Sequence, residues 1–278
     1  GRAAGAAEPC MLGGEMRVPR CLCANWGKEG KEREGFILVL ELLDEPDWIP
    51  VDPEIGCTYE QAVTAVETLG RMHKAFNDKT MSGKEFDWLP ATVFDVRNAS
   101  HIQSYFTSIL NSAQPLVQLL PPGARATVER MAEGGLGECF ERLAQPPLCL
   151  NQGDYRPENL RFSAPGRPPA VAVFDWGLVN VARGIADFAY FVMLSQTPEE
   201  RRKRERDLLA RYLEARGDGT KKLDDAWEDL KSASIAILGM ILMTRHGVKT
   251  GFKQGTRNML VRMMRWVGEA ITDWGSID

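Results

Sequence analysis

Apolar residues recur in "TYEQAVTAVETLGRMHKAF" at Tyr59, Ala62, Val66, Leu69, Met72 and Phe76, a spacing that lays them along one face of an α-helix. Thr58 and Gln61 stand three apart at its start, the spacing of a capping box in which each side chain satisfies an orphan backbone donor. A second helix opens at "TPEE", with Thr197 as N-cap, Pro198 in the first turn and Glu200 completing the box. It runs through Leu208, Leu209 and Tyr212 and stops near Gly217. "LDDAWEDLKSASIAILGMILM" is apolar around most of its circumference and predicts a third, mostly buried helix. Three short β-prone runs lie between these helices, at 147–150, 160–162 and 171–174. Upstream, "RCLCANW" and "GFILVLELL" flank the charged "GKEGKERE" and predict a hairpin with a solvated loop. A Pro- and Asp-rich connector, "LDEPDWIPVDPE", follows, and helices dominate beyond it. The opening "GRAAGAAEP" is assigned no fixed structure, and the chain holds no internal repeat.

Composition narrows the classes. The chain has 278 residues, room for one large core or two modest lobes. Its 34 Lys and Arg stand against 38 Asp and Glu, so the electrostatic footprint of a nucleic-acid binder is missing. Six cysteines without a C-x-x-C pair, and only three histidines, argue against zinc and for reduced thiols in the cytoplasm. The longest apolar stretch, "SASIAILGMILM", is too short to span a bilayer, and no secretory signal heads the chain. Cys21 and Cys23 alternate on a strand and are expected to pack into a core together. His73 flanks the apolar stripe of its helix and is expected to be a packed residue. "RRKRERD", interleaved with acids, reads as a solvated helix face. The methionines Met240, Met243, Met259, Met263 and Met264 are expected to fill core or line a pocket wall.

The chemistry gathers in "NQGDYRPENLRF", residues 151–162, and "VAVFDWG", residues 171–177. Turn residues Ser163 to Pro169 predict a hairpin between the two. If Phe162 pairs near Val171, Asn159 comes close to Phe174 and Asp175, because the start of one strand lies opposite the end of the other. Two carboxylates and an amide then meet at the rim of a small sheet. Such oxygen donors suit Mg²⁺, which takes one or two carboxylates and completes its shell with phosphate and water. Asp154 sits on the loop, where it can accept a proton from an incoming hydroxyl, and Arg156 can supply counter-charge to a moving phosphoryl group.

"QGDYRPENLRF…VAVFDWG" resembles the catalytic segments of aminoglycoside-phosphotransferase-type small-molecule kinases, which share the protein-kinase-like fold. The resemblance implies an α+β, bilobal architecture: a truncated small β lobe and hinge over residues 1–43, and a mainly helical large lobe over 44–278. It implies Asp154 as catalytic base, with Asn159 and Asp175 as ligands of Mg²⁺; Arg156 stays the candidate counter-charge read from the loop itself. Asp187 of "GIADFAYF" would brace the catalytic loop, and the backbone of Leu40, Glu41 and Leu42 would dock the adenine of ATP. The family's loop His is Gln152 here, and Gln offers both a donor and an acceptor in its place. A glycine-rich phosphate loop, a strand Lys and its helix Glu should precede Val18, more than 17 residues can hold, and Gly rather than Met stands first. The sequence is therefore expected to be truncated, or to have lost its phosphate clamp. The implied activity is transfer of the ATP γ-phosphoryl group to a hydroxyl of a small molecule. The alternative is a kinase-like remnant that binds a ligand or partner without turnover. Neither nucleic acid nor membrane is an expected partner, and the substrate stays open among aminoglycosides, choline-like alcohols, steroids and hydroxyacyl compounds.

Overall fold

A computed structural model of the chain describes residues 11–12, 16–25, 36–82, 84–87, 89, 96–219, 223–243 and 254–275. Strands β1 (Met11–Leu12), β2 (Met16–Arg17), β3 (Cys21–Asn25), β4 (Ile37–Leu40) and β5 (Trp48–Pro50) precede helix α1 (Tyr59–Ala75). Helices α2 (Val96–Val117) and α3 (Pro122–Arg130) follow, and a π-helical turn at Met131–Gly135 leads into α4 (Leu136–Leu143). Then come β6 (Cys149–Asn151), β7 (Leu160–Ser163), β8 (Val171–Val173), β9 (Asn180–Ala182) and α5 (Ile185–Leu194). Helices α6 (Pro198–Arg216), α7 (Leu223–Met243) and α8 (Gln254–Trp274) complete the described chain. One sheet has the order β1-β2-β8-β7-β5; β3 pairs with β4, and β6 with β9.

The three anticipated helices form where their patterns end. In α1, Thr58 Oγ1 accepts from Gln61 N at 3.2 Å and Thr58 N donates to Gln61 Oε1 at 2.9 Å, closing the capping box. Thr58→Ala is expected to cost about 1 kcal/mol in a denaturant titration, and Thr58→Asn to recover most of it; equal stability of Thr58→Ala and wild type would show that the cap contributes nothing. Ala62, Val66, Leu69 and Met72 are fully buried against the core. Gly70 lets α6 come close to α1, since a Cβ there would lie 2.6 Å from the Tyr212 carbonyl oxygen. At the start of α6, Thr197 accepts from Glu200 N, but the reciprocal arm is not made. Glu200 turns its carboxylate to Lys203 at 2.7 Å and Arg204 at 2.8 Å, two cations of the following turn. Helix α7 is the centre of the helical layer, with α2, α4, α5 and α8 packed around it.

Two expectations of packing are corrected. Cys21 and Cys23 are exposed, not core, because among the described residues β3 pairs with β4 alone and every residue of both strands is exposed. The solvated reading of "RRKRERD" fails at Arg201 and Glu205, which α8 covers; Arg201 is 1 % exposed. The buried thiols behave as small apolar groups: burial pushes Cys139 up to about 11 and Cys149 up to about 12. Strands β5 and β9 were not anticipated. The "GKEGKERE" loop and "GRAAGAAEP" lie outside the described residues. Among the described residues, no helix is long and apolar enough to cross a membrane.

Candidate active site

The hairpin β7–β8 has the anticipated register, Phe162 opposite Val171 and Leu160 opposite Val173. Past its paired end, Phe174 N donates to the Asn159 carbonyl at 3.2 Å, which brings the two chain segments of the site side by side. Asp175 then turns with φ 58°, the one non-glycine residue at positive φ among those described. The left-handed region is open to Asp at modest cost, and a sharp turn there ends the hairpin. On the other side, β6 delivers the loop, and Gly153 crosses behind the Leu178 carbonyl at φ 88°. A Cβ on residue 153 would lie 2.1 Å from that oxygen, so glycine is required for the crossing.

Gln152 fills its position with both halves of its amide. Its Nε2 donates to the Asp175 carbonyl at 2.5 Å and the Phe174 carbonyl at 3.1 Å, while its Oε1 accepts from Asp154 N at 2.8 Å. The side chain thereby ties the loop to the strand end through both its donor and its acceptor. Asp187, in the first turn of α5 and 2 % exposed, accepts from Gln152 N at 2.5 Å and Gly153 N at 2.9 Å. Behind it lies buried His73, with Nε2 3.8 Å from Asp187 and Nδ1 2.9 Å from the Tyr212 hydroxyl. Desolvation lowers the pKa of His73 despite the nearby Asp187, so it is a neutral packing residue at neutral pH.

The Asp154 carboxylate is held by two side-chain donors. Arg156 Nε reaches Oδ1 at 2.9 Å and Asn159 Nδ2 reaches Oδ2 at 2.8 Å, and Tyr190 lines the cavity beside them. Burial, and then the charge of Asp154, push the Tyr190 hydroxyl well above its ordinary pKa, so it keeps its proton. Arg156 also stands 3.2 Å from Glu158 Oε2; burial opposes its charge, but the two carboxylates outweigh that and hold it cationic. Asn159 spends its NH₂ group on Asp154, through the backbone carbonyl at 2.9 Å as well as the carboxylate. Its Oδ1 accepts no hydrogen bond from the described residues, and neither does the exposed Asp175 carboxylate.

The structure thus brings Asp154, Arg156 and Asn159 into direct contact and joins Asp175 to them through backbone bonds. Two free oxygen donors are a sparse set that fits Mg²⁺, an ion that keeps water and phosphate in its shell. Among the described residues, no group of three or more His, Cys, Asp or Glu side chains is placed to hold a metal by itself. Leu40, Glu41 and Leu42, expected to meet adenine, make no hydrogen bond to Asp154, Asn159 or Asp175 among the described residues. Leu40 and Leu42 are exposed, and the Glu41 backbone N–H is already given to the Arg20 carbonyl at 2.9 Å. The Glu41 carboxylate holds Arg17 at 2.7 Å and Arg20 N at 3.0 Å.

A cavity of about 300 Å³ opens beside Asp154, at the lower end of small-ligand pockets. Asp154, Arg156 and the Tyr190 hydroxyl give it polarity; Leu178, Met240, Ile241, Met259, Leu260 and Met263 supply apolar wall. Three of the five methionines singled out in the sequence therefore line a pocket. Tyr190 went unassigned, although it stands three residues after Asp187 in the same helix, a spacing that places both on one face.

The sequence model of the ecdysteroid kinase-like family matches residues 15–224. Among solved structures, ethanolamine kinase from Plasmodium vivax is similar, with 11 % identity and a TM-score of 0.57 over 94 % of this chain and 68 % of that one. A candidate aminoglycoside phosphotransferase from Ralstonia eutropha is similar too, with 14 % identity and a TM-score of 0.54 over 92 % of this chain and 77 % of that one. At such identities the likeness establishes the fold, the mixed α+β fold of protein-kinase-like small-molecule kinases. No curated protein matches the chain.

Proposed function

The chain belongs to the ecdysteroid kinase-like family, and on that premise we propose that it transfers the γ-phosphoryl group of ATP to a hydroxyl of a small, apolar, uncharged molecule. The observation that carries this reading is the Asp154 carboxylate, fixed by Arg156 and Asn159 at the polar end of an otherwise apolar cavity. Asp154 takes the proton of the substrate hydroxyl as that oxygen attacks. Arg156 and Asn159 fix the orientation of the carboxylate, and Asp187 and Gln152 fix the loop that carries it. Asn159 Oδ1 and the Asp175 carboxylate are the groups that would hold Mg²⁺, and Leu40–Leu42 those that would meet adenine. Bound Mg-ATP supplies the phosphoryl group and the leaving ADP. Residues 1–43 are assigned to the small lobe and hinge, and 44–278 to the large lobe.

The uncharged substrate follows from the charge pairing around the cavity. Both nearby carboxylates are answered by cations of the protein, Asp154 by Arg156 and Glu158 by Arg156 and Arg262. Among the described residues that line the cavity, no carboxylate is left over to bind an ammonium group, and burying an unpaired cation against methionine and leucine is costly. ADP release with Mg-ATP is therefore expected for neutral, rigid alcohols, an ecdysteroid being the first probe because the family description names it. Ethanolamine and aminoglycosides are expected to give background rates. Transfer to ethanolamine without transfer to any neutral alcohol would overturn the assignment.

A further inference from the structure

Four side chains of alternating charge run from Asp154 to the helix that walls the cavity. Arg156 Nε bonds Asp154 at 2.9 Å, Arg156 Nη1 lies 3.2 Å from Glu158, and Glu158 pairs with Arg262 of α8. All four are at most 23 % exposed, so these charges interact more strongly than surface pairs do. Arg262 is further seated by donating to the Pro53 carbonyl and by lying 5.4 Å over the Trp266 ring. Its neighbours on α8, Met259 one turn before it and Met263 beside it, line the cavity.

Arg156 is shared between two carboxylates, and Glu158 between two guanidinium groups. While Arg262 answers Glu158, Arg156 can keep its Nε on Asp154. Without Arg262, Arg156 becomes the nearest cation for Glu158 and is drawn off Asp154. We propose that Glu158 and Arg262 are positioning residues that carry the seating of α8, and so the filling of the cavity, to the Asp154 carboxylate through Arg156. The effect on rate rests on Asp154 being the base.

The test uses the full chain and the variants Arg262→Met, Arg262→Lys, Glu158→Gln and Glu158→Gln/Arg262→Met. Two quantities are read: steady-state kinetics with Mg-ATP and a neutral alcohol, and solvent exchange of the Arg156 Hε proton by NMR, which needs no turnover. Arg262→Met is expected to lower kcat about 10- to 100-fold, the scale of a small misplacement of a catalytic group, with the KM for ATP unchanged. Arg262→Lys recovers most of the loss. The double variant loses less than the product of the two single losses, because no buried charge is left alone. Arg156 Hε exchanges faster in Arg262→Met and stays slow in Arg262→Lys. Equal losses in the Met and Lys variants, or an Arg156 signal indifferent to residue 262, would overturn the coupling. If Arg262→Met does not fold, Glu158→Gln and Arg262→Lys decide the matter by the same two readings. Faster exchange in a protein that phosphorylates no alcohol would uphold the coupling and defeat the kinase reading.

Discussion

Asp154→Asn is expected to lower phosphoryl transfer by about 10²- to 10⁴-fold, the contribution of a positioned general base, while the protein stays folded. The amide has nearly the shape of the carboxylate, so the loop's other anchors persist. Asp187 still holds Gln152 N and Gly153 N, and Gln152 still spans from residue 154 to the Asp175 carbonyl. What changes is chemical. An amide oxygen cannot take the proton of an attacking hydroxyl, and the amide NH₂ faces donors on both sides, Arg156 at one oxygen position and Asn159 at the other. The expected signature is a fall in kcat at saturating ATP and alcohol with a melting temperature near that of wild type. Turnover within tenfold of wild type would remove Asp154 from the reaction and leave it a structural member of the loop. Arg262→Met keeps the Asp154 carboxylate and shifts only its partner, so its loss is expected to be the smaller of the two.

How legible the site was in the sequence depends on the range over which each residue finds its partner. Asp154, Asn159 and Asp175 belong to one loop and one hairpin. The turn between Ser163 and Pro169 sets the register, so local rules sufficed to bring Asn159 beside Phe174. The cap at Thr58 was equally local. Tyr190 lies outside that motif and lines the cavity beside Asp154 because α5 packs behind the loop; its spacing from Asp187 gives its face but not its target. Arg262 and Glu158 are about a hundred residues apart, and no periodicity links them. The errors have the same origin. Alternation predicts Cys21 and Cys23 on a common side of β3, but the pairing register shifts between them, and alternation says nothing about whether another layer covers that side. Strand β5 sits in a Pro-rich connector that reads as a turn, and β9 opens on the polar Asn180, whereas the equally short β6 and β8 fall in apolar runs.

The same limit hid the ion-pair cluster beneath α6, where the largest effect on stability is expected. Arg201→Ala is expected to destabilise the fold by about 3–5 kcal/mol, the cost of leaving buried charge without its partner. Arg201 pairs with Glu205 one turn along α6 and with Asp273 of α8, and its guanidinium lies 5.3 Å over the Trp274 ring. Trp274 Nε1 in turn donates to Glu205 at 3.0 Å. Removing the guanidinium leaves Glu205 with only an indole donor, while Asp273 keeps Arg202 at 2.8 Å, which is better exposed to water. The uncompensated charge therefore falls mainly on Glu205. Arg201→Met/Glu205→Leu should recover much of the stability, since a buried ion pair exchanged for apolar packing is often close to neutral, whereas Glu205→Leu alone strands Arg201 between Asp273 and the indole. Denaturant unfolding of the four proteins checks this, with a melting temperature lower by roughly 10 °C for Arg201→Ala. A loss below about 1 kcal/mol, the range of surface pairs, would mean that water reaches the cluster and that α8 is not firmly seated on α6.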